Sequence, residues 1–486
     1  MKHHLSNLLI DWNDRGILYC VWRGASKLQK VLECEEDLDV LLDKKNLQEA
    51  ILILQKNDFV EFKNVISRSD LGTLDFLKFH ENGKWTHVHL HLEVIFGNSL
   101  QRDYRLPIAH TILQDRVWDN NFNIWVISPI YDLSLFIIRH SLRSASLIPS
   151  AKYDLELKNI KEFYCNKQII FKESEIASLN YFPQQIKNYL SHYHEIEESG
   201  IKQMSGKIKH FYFLQRESLD LYYLVSSLFN LISNISSKIR KKMGLLVYKK
   251  KLAHSGVLVA FVGIDGSGKS SAIERLSSNL SKQLTVSSIS LGSGVSGASW
   301  YRKIVFKLFG TKAKFKGHIN ARSGRQKSLK SDVPWYYALW MIICLLDKKK
   351  ELHRGLTCKA RGGFVISDRW LQDEIQGFVD SPRVIFDENS NVINKYLATL
   401  EEEVFLLTRQ NAPDFIVRFD TTPENSVLRK PNDLNLEQAR DAALKIREIK
   451  WNNSPLISID TNKSIEDVDR QLNNIVASIL SGDSCV

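Results

Sequence analysis

Short apolar runs and one helical segment alternate over the first part of the chain. Residues 47–55 have the spacing of an amphipathic helix. Two alternating runs flank Asn82-Gly83, and an Asn-Gly pair in that position is a strong hairpin signal. We therefore expect an α+β domain over residues 1–145. The predicted strands are 17–23, 38–42, 74–79 and 85–96.

The pattern changes beyond this domain. Residues 146–254 have mainly helical periodicity and end in a basic stretch, so they predict a helical linker region. From residue 255 to 486, short β-branched apolar runs alternate with helical segments. This alternation is typical of an α/β domain, in which helices flank a parallel sheet.

The composition is that of a globular protein with several domains. The chain has 486 residues, of which 44 % are apolar, so each domain can bury a core and global disorder is excluded. Its six cysteines form no Cys-x-x-Cys pair, which excludes a disulfide-rich secreted scaffold and favours reduced thiols. The first residues contain no apolar core of a signal peptide. We therefore expect a cytoplasmic protein.

The longest apolar run, residues 335–346, is too short to cross a membrane. It spans 12 residues, whereas a transmembrane helix needs about 18 or more. We therefore expect no transmembrane segment. The run predicts either a core helix or the buried interface of a homodimer, and the core helix is the more common outcome.

Positive charge is concentrated in one part of the chain. The formal net charge is +11, and residues 275–331 contain 12 Lys and Arg but no Asp or Glu. A field of this sign attracts phosphate-bearing ligands, and the basic segment 300–330 is a candidate nucleic-acid contact. The alternative is a solvated basic loop.

A glycine-rich motif follows the apolar run 257–262. Residues 263–271 read GIDGSGKSS and fit the phosphate-loop pattern G-x-x-x-x-G-K-[ST] in full. Glycines let the backbone approach phosphates closely, and backbone N–H groups at a helix N-terminus bind anions. The motif predicts ATP and Mg²⁺ as cofactors, with Lys269 on the phosphates and Ser270 on the metal. The candidate nucleotide-binding residues are Gly263, Asp265, Gly266, Ser267, Gly268, Lys269, Ser270 and Ser271.

A second apolar run, residues 364–368, ends in a carboxylate. Ligands of open α/β sheets bind beyond the carboxyl ends of the strands, so Asp368 is expected to lie near Lys269. A carboxylate in that position is a candidate partner of Ser270 in holding Mg²⁺.

These motifs together resemble the thymidylate kinase family. The segment FVGIDGSGKSS at 261–271 is similar to that family's phosphate loop, and Asp368-Arg369-Trp370 is similar to its Asp-Arg-Tyr motif. Pro413-Asp414-Phe415 and the stretch from Thr422 to Arg429 resemble its next strand and the approach to its lid. The resemblance covers about residues 255–486.

The resemblance implies a kinase that transfers the γ-phosphoryl group of ATP to a nucleotide-like acceptor. It implies that Asp368 helps to hold the metal, that Arg369 contacts the acceptor phosphate, and that Asp265 organises the acceptor side. It further implies that Arg429 lies at the lid and that the kinase half forms a homodimer. The segment 291–297 departs from the family's Arg-Glu-Pro-Gly segment, so the acceptor site is expected to be rebuilt.

A second candidate site lies near the N-terminus. Asp37 and Asp39 are two residues apart on a predicted strand, so both carboxylates face one side, as two-metal nucleotidyl transfer requires. With the turn at 22–26, this D-x-D strand resembles the nucleotidyltransferase superfamily. Alternation over 87–93 places three histidines and Glu93 on one face, where Glu93 is the candidate third acid.

Three interpretations of this face remain open. The first is an active transferase in which Glu93 or a histidine replaces the usual third acid. The second is a histidine-rich metal site, and the third is a structural face in a domain that has lost catalysis. For the whole chain we expect a P-loop kinase. The alternatives are a metal-dependent nucleotidyltransferase whose P-loop half senses nucleotides, and a nucleic-acid-binding ATP switch.

Overall fold

The structure is a computed structural model of the full chain. It describes residues 4–64, 72–96, 104–143, 151–193, 249–292, 333–376, 378, 380–431 and 435–482, together with residues 207, 208, 211, 232, 235 and 236. The basic segment 300–330 and most of the stretch 291–297 lie outside the described residues. The chain divides into two compact units, which we call unit 1 (Met1–Lys78 and Trp85–Leu245) and unit 2 (Phe79–Lys84 and Leu246–Val486).

Unit 1 contains a mixed sheet and a small two-stranded sheet. Within unit 1, the strands of the mixed sheet follow the order β3-β4-β5-β2-β1-β9-β8, and β6 pairs with β7 in the small sheet. The strands are β1 Tyr19–Arg23, β2 Leu38–Leu42, β3 Val60–Asn64, β4 Thr73–Phe79, β5 Trp85–His91, β6 Val94–Phe96, β7 Tyr104–Leu106, β8 Val117–Asp119 and β9 Ile124–Val126. The helices are α1 His4–Asp14, α2 Leu28–Leu32, α3 Leu47–Lys56, α4 Ala109–Gln114, α5 Pro129–Arg143, α6 Ala151–Asn166, α7 Glu173–Ala177 and α8 Gln184–Ser191.

The strand predicted over 85–96 is shorter than expected. It ends at His91, one residue before a last hydrogen bond with the neighbouring strand segment, from the N–H of Leu92 to the carbonyl of Gly72 at 2.8 Å. Strand β6 then pairs antiparallel with β7. The alternation of the histidines therefore does not extend to Glu93, and this correction changes which carboxylates meet them.

Unit 2 contains a five-stranded parallel sheet with flanking helices. Its order is β12-β13-β11-β14-β15. The strands are β10 Lys250–Leu252, which precedes the sheet, β11 Val257–Val262, β12 Val286–Ser290, β13 Phe364–Asp368, β14 Phe415–Asp420 and β15 Leu456–Asp460. The helices are α9 Lys269–Leu280, α10 Trp335–Ala360, α11 Val392–Gln410, α12 Pro423–Arg429, α13 Leu436–Glu448 and α14 Ile465–Ser481.

Strand β11 lies at the centre of this sheet because it is apolar throughout. Leu258, Ala260 and Val262 belong to the core that contains α10 and α11, while Val259 and Phe261 are fully buried on the opposite face. Continuous apolar runs of this kind are typical of parallel strands that are covered on both faces. After β11 the chain forms β12 at the edge, returns to β13 between these two strands, and then crosses to β14 on the other side of β11, so the direction of the crossovers reverses at the carboxyl end of β11. Ligands bind preferentially at such a crevice.

The apolar run 335–346 forms the first half of helix α10. Half of its side chains, including Trp340 and Met341, are buried in the core of unit 2, whereas Trp335, Leu339 and Leu346 are exposed. The helix packs against β12, β13 and α11. Within the described ranges, no helix has the length and hydropathy needed to cross a bilayer.

Helix α11 provides a matched test of this core. Leu397 is fully buried, while Leu406 on the same helix is 46 % exposed. Leu397→Ala is expected to lower the free energy of unfolding by about 2–5 kcal/mol, because it removes buried methyl groups and leaves a cavity. Leu406→Ala should change it by less than about 0.5 kcal/mol. Urea unfolding of both variants measures the difference, and equal effects would contradict this assignment of the core.

Candidate functional site

The loop between β11 and α9 is packed too tightly for side chains at two of its glycines. A Cβ atom on Gly263 would lie 2.8 Å from the carbonyl oxygen of Phe419, and one on Gly266 would lie 2.5 Å from that of Ser426. Ser426 also donates its hydroxyl to the carbonyl of Asp265 at 2.6 Å. The loop is therefore held against the end of β14 and against α12. Gly268, with φ of 87°, immediately precedes the first turn of α9.

The ammonium group of Lys269 lies inside this loop. Nζ donates to the carbonyl oxygens of Gly263 at 2.7 Å and Ile264 at 2.8 Å, and to Oγ of Ser267 at 3.2 Å. The residue is only 5 % exposed. Burial, followed by the nearby charge of Arg369, lowers the pKa of Lys269 to about 8. The loop thus encloses a cation next to the backbone N–H groups at the start of a helix, an arrangement suited to binding phosphate. Ser271 is exposed on the first turn of that helix.

Ser270 and Asp368 meet beside the loop. Oγ of Ser270 donates to Oδ2 of Asp368 at 3.3 Å. They are neighbours because β11 and β13 are adjacent and parallel, with Phe261 opposite Asp368. Oδ1 of Asp368 is buried and has no hydrogen-bond partner among the residues that the structure describes. A hydroxyl and a buried carboxylate oxygen are hard oxygen donors, so these two residues fit Mg²⁺.

Arg369 is held between two carboxylates. Its guanidinium pairs with Asp265 and, at 3.3 Å, with Asp380. Burial by itself would lower the pKa of Arg369, but Asp380 and Asp265 outweigh it and raise that pKa above its ordinary value. The residue has φ of 73°, and its N–H donates to the carbonyl of Phe261 at 3.0 Å. A rigid, permanently charged arginine therefore lies beside the phosphate loop.

Asp380 is a site residue that the sequence motifs do not identify. It lies 11 positions beyond Arg369 in a segment outside the helices and strands, so no periodicity or spacing points to it. Together with Gly263 and Arg369 it lines a small cavity whose other walls are apolar. The remaining lining residues are Val262, Phe378, Ile446, Ile449 and Trp451.

Arg429 lies at the C-terminal end of α12. Its Nη2 atom donates to the carbonyl of Thr461, which follows β15, at 2.8 Å. Arg440, on the next helix, pairs with Glu424 at 3.0 Å. These contacts hold both guanidinium groups on unit 2. Around the loop itself, Asp265 pairs with Arg369 and Ser270 contacts Asp368.

Unit 1 brings Asp37 and Asp39 next to the predicted histidines. Strands β2 and β5 are parallel and adjacent, with Asp39 opposite His89. Oδ2 of Asp37 lies 3.3 Å from Nδ1 of His87 and 3.7 Å from Nε2 of His89. Oδ1 of Asp39 lies 2.9 Å from Nε2 of His91. The two acids therefore contact different histidines.

A third carboxylate completes this cluster. Asp75, on β4, is buried, and its Oδ1 atom lies 3.2 Å from Nε2 of His87 and 2.6 Å from Nδ1 of His89. No sequence motif identifies this residue. One feature of the sequence could have indicated it: Asp75 is an acid in the mainly apolar strand TLDFLKF. This strand directly precedes the hairpin that leads to the histidines.

The acids and histidines of this cluster strongly affect one another's pKa values. Burial acts to raise the pKa of Asp37, but hydrogen bonds with His87 and His89 hold that pKa well below its ordinary value. Burial acts to lower the pKa of His89, but Asp37 and Asp75 raise it to about 9. For His91, burial dominates and lowers the pKa to about 3. The three histidines are therefore not equivalent.

Glu93 lies apart from the acid–histidine contacts. Its carboxylate pairs with Lys44 and, at 3.0 Å, with Arg105. These three residues line an open cleft of about 650 Å³ in unit 1. The cleft also contains Lys45, Asp43 and His110, and half of its lining residues are apolar.

No protein-family model matches the chain. Over 215 residues, the chain is 24 % identical to the "Uncharacterized ATP-binding protein YghS" of Escherichia coli (strain K12). The alignment covers 43 % of this chain and 88 % of that protein. The similarity therefore concerns less than half of the chain.

The lowered pKa of Lys269 predicts a pH dependence of stability. Between about pH 8 and its ordinary value of 10.5, the folded chain has released this proton while the unfolded chain still holds it. The contribution of this group to the free energy of unfolding therefore rises with pH across this window, by about 3 kcal/mol. Lys269→Met removes the titrating group. In urea unfolding at several pH values, the stability of the unmodified chain minus that of the variant should rise by this amount, and a difference that is constant with pH would contradict the prediction.

Proposed function

We propose that unit 2 binds ATP with Mg²⁺ and transfers the γ-phosphoryl group to a nucleotide acceptor. In this proposal the kinase domain comprises residues 255–486. The observation that carries it is the enclosure of Lys269 by the glycine-rich loop, with Ser270 and Asp368 in contact beside it. The similarity to a protein named as ATP-binding supports the nucleotide.

ATP binding follows from the charge and the backbone of the loop. The phosphates of ATP present several anionic oxygens, and Lys269 is a buried cation among backbone groups. Binding exchanges the loop carbonyls on Nζ for phosphate oxygens, which are stronger acceptors because they are charged. Glycines at 263 and 266 keep side chains out of the space that the loop backbone occupies.

Mg²⁺ would be held by the Ser270 hydroxyl and the Asp368 carboxylate. When bound, the ion supplies neutralisation of phosphate charge and orientation of the transferred group. The chain's own residues provide the rest. Lys269 compensates charge on the phosphates, and the loop N–H groups orient them. No covalent residue is required, since phosphoryl transfer depends mainly on positioning and electrostatics.

Arg369 is the proposed contact of the acceptor phosphate. Asp265 and Asp380 fix its guanidinium on two sides, so little conformational entropy is lost when an anion binds. The adjoining cavity has apolar walls that include Phe378 and Trp451. That cavity, at about 10 Å³, holds about one water molecule and no nucleobase, so Arg369 and not the cavity supports a phosphate-bearing acceptor such as a nucleoside monophosphate.

Phosphoryl transfer is favoured over nucleotidyl transfer by the ligands opposite the D-x-D strand. Strand β5 presents His89 directly opposite Asp39. Two-metal nucleotidyl transfer relies on Mg²⁺, which prefers oxygen donors to imidazole. The acid–histidine contacts of unit 1 therefore support a different metal chemistry.

The direct test is transfer of labelled phosphate from ATP to a panel of nucleoside and deoxynucleoside monophosphates. We expect Lys269→Ala to lower kcat by at least about 100-fold, because it removes the charge on the phosphates. Lys282→Ala is the matched control, since Lys282 is exposed at the end of α9 and should leave kcat unchanged.

Two negative outcomes have different meanings. No binding of ATP with Mg²⁺ in a calorimetric titration would exclude the nucleotide site itself. Binding of ATP without transfer to any monophosphate would exclude nucleoside monophosphate kinase activity but not the nucleotide site.

The acceptor role of Arg369 has a separate test. Arg369→Lys keeps the positive charge but loses the planar fork that pairs with two oxygens at once. We expect KM for the acceptor to rise by about 10-fold or more, with KM for ATP unchanged, because one such charge-assisted contact is lost. Steady-state kinetics with each substrate varied in turn measures both constants. An equal rise in both would indicate that Arg369 only supports the fold.

A further inference from the structure

We propose that unit 1 binds one divalent transition-metal ion of the zinc type. The ligand atoms are Oδ2 of Asp37, Nδ1 of His87 and Nε2 of His89, and Asp75 positions the two imidazoles. This site is independent of the proposed kinase chemistry.

The geometry fits a single ion. Each of the three residues offers one ligand atom, and these atoms lie within 4.8 Å of one another. Oδ2 of Asp37 is 3.3 Å from Nδ1 of His87 and 3.7 Å from Nε2 of His89. In a tetrahedral zinc site with metal–ligand distances of about 2.0–2.1 Å, neighbouring ligand atoms are about 3.3 Å apart. The ion therefore fits with small side-chain movements.

Asp75 gives both histidines the orientation that ligation requires. Its Oδ1 atom faces Nε2 of His87 at 3.2 Å and Nδ1 of His89 at 2.6 Å, the ring nitrogens turned away from Asp37. A carboxylate in that position accepts an N–H from each ring, so the other ring nitrogen faces Asp37, where metal binding displaces the proton that His89 carries. Metal-bound histidines commonly have such a carboxylate partner, which fixes the tautomer and increases ligand basicity.

The exposure of the ligands leaves one side of the site open. The side chains of His87 and Asp75 are 5 % and 7 % exposed, whereas that of Asp37 is 53 % exposed. An ion can therefore enter past Asp37, and a water molecule or substrate can complete the coordination. Two imidazoles, one carboxylate and an open position are typical of reactive rather than structural metal sites.

A second group of potential ligands, formed by Asp39, His89 and His91, is less suitable. Asp39 lies 3.8 Å from the guanidinium of Arg23, which would repel a cation. His91 is buried against the ring of Trp22, with centroids 4.8 Å apart. The ion is therefore assigned to the Asp37 side.

The test is a titration of the chelator-treated full chain with Co²⁺ and Zn²⁺, without nucleotide, followed by visible absorption and calorimetry. We expect one ion per chain. Asp37→Ala and His89→Ala should weaken binding by at least 100-fold, and Asp75→Asn by about 10–100-fold because it acts through the histidines. His110→Ala, an exposed histidine of the same unit, is the matched control and should bind like the unmodified chain.

Three results would overturn the assignment. These are the absence of a bound ion in the unmodified chain, unchanged affinity in both Asp37→Ala and His89→Ala, and loss in His91→Ala with retention in His87→Ala. Because Asp37 is largely exposed, its variant should fold, and circular dichroism checks this. Lys269→Ala should bind the metal normally, so failure of the metal site and failure of the kinase proposal are distinguishable.

Discussion

The interaction on which unit 2 depends is the enclosure of a buried ammonium group by backbone carbonyls. Lys269 could not remain inside the protein without acceptors, and the carbonyls of Gly263 and Ile264 provide them. The loop reaches this shape only because glycines allow β14 and α12 to approach its backbone. The fold therefore keeps a cation close to the carboxyl end of the central strand, where phosphates can replace the carbonyls.

The charged side chains that surround Lys269 are paired with other groups of the protein. Asp265 and Asp380 neutralise Arg369, and Asp368 accepts from Ser270. Each charged group thus has a partner on the protein before any ligand binds, which limits the cost of burying it. The same arrangement leaves one buried oxygen of Asp368 available to a hard cation.

The two units use parallel strands for different chemistry. In unit 2, neighbouring strand ends bring a hydroxyl and a carboxylate together, which suits Mg²⁺. In unit 1, the pairing of β2 with β5 brings carboxylates and imidazoles together, which suits transition metals. The two sites therefore differ in their donor atoms and not in the pairing of their strands.

The sequence by itself determined the local elements and the chemistry of single motifs. Strands 257–262 and 364–368 have the predicted bounds, and the Asn82-Gly83 turn joins two strands as expected, because apolar period and turn propensity are local properties. Only the tertiary structure decided which side chains meet. Asp75 and Asp380 reach their sites from segments without a motif, and Glu93 follows the end of β5 and pairs with Lys44 and Arg105 instead. Such partners depend on strand pairing and chain reversal, which residue spacing along the chain does not encode.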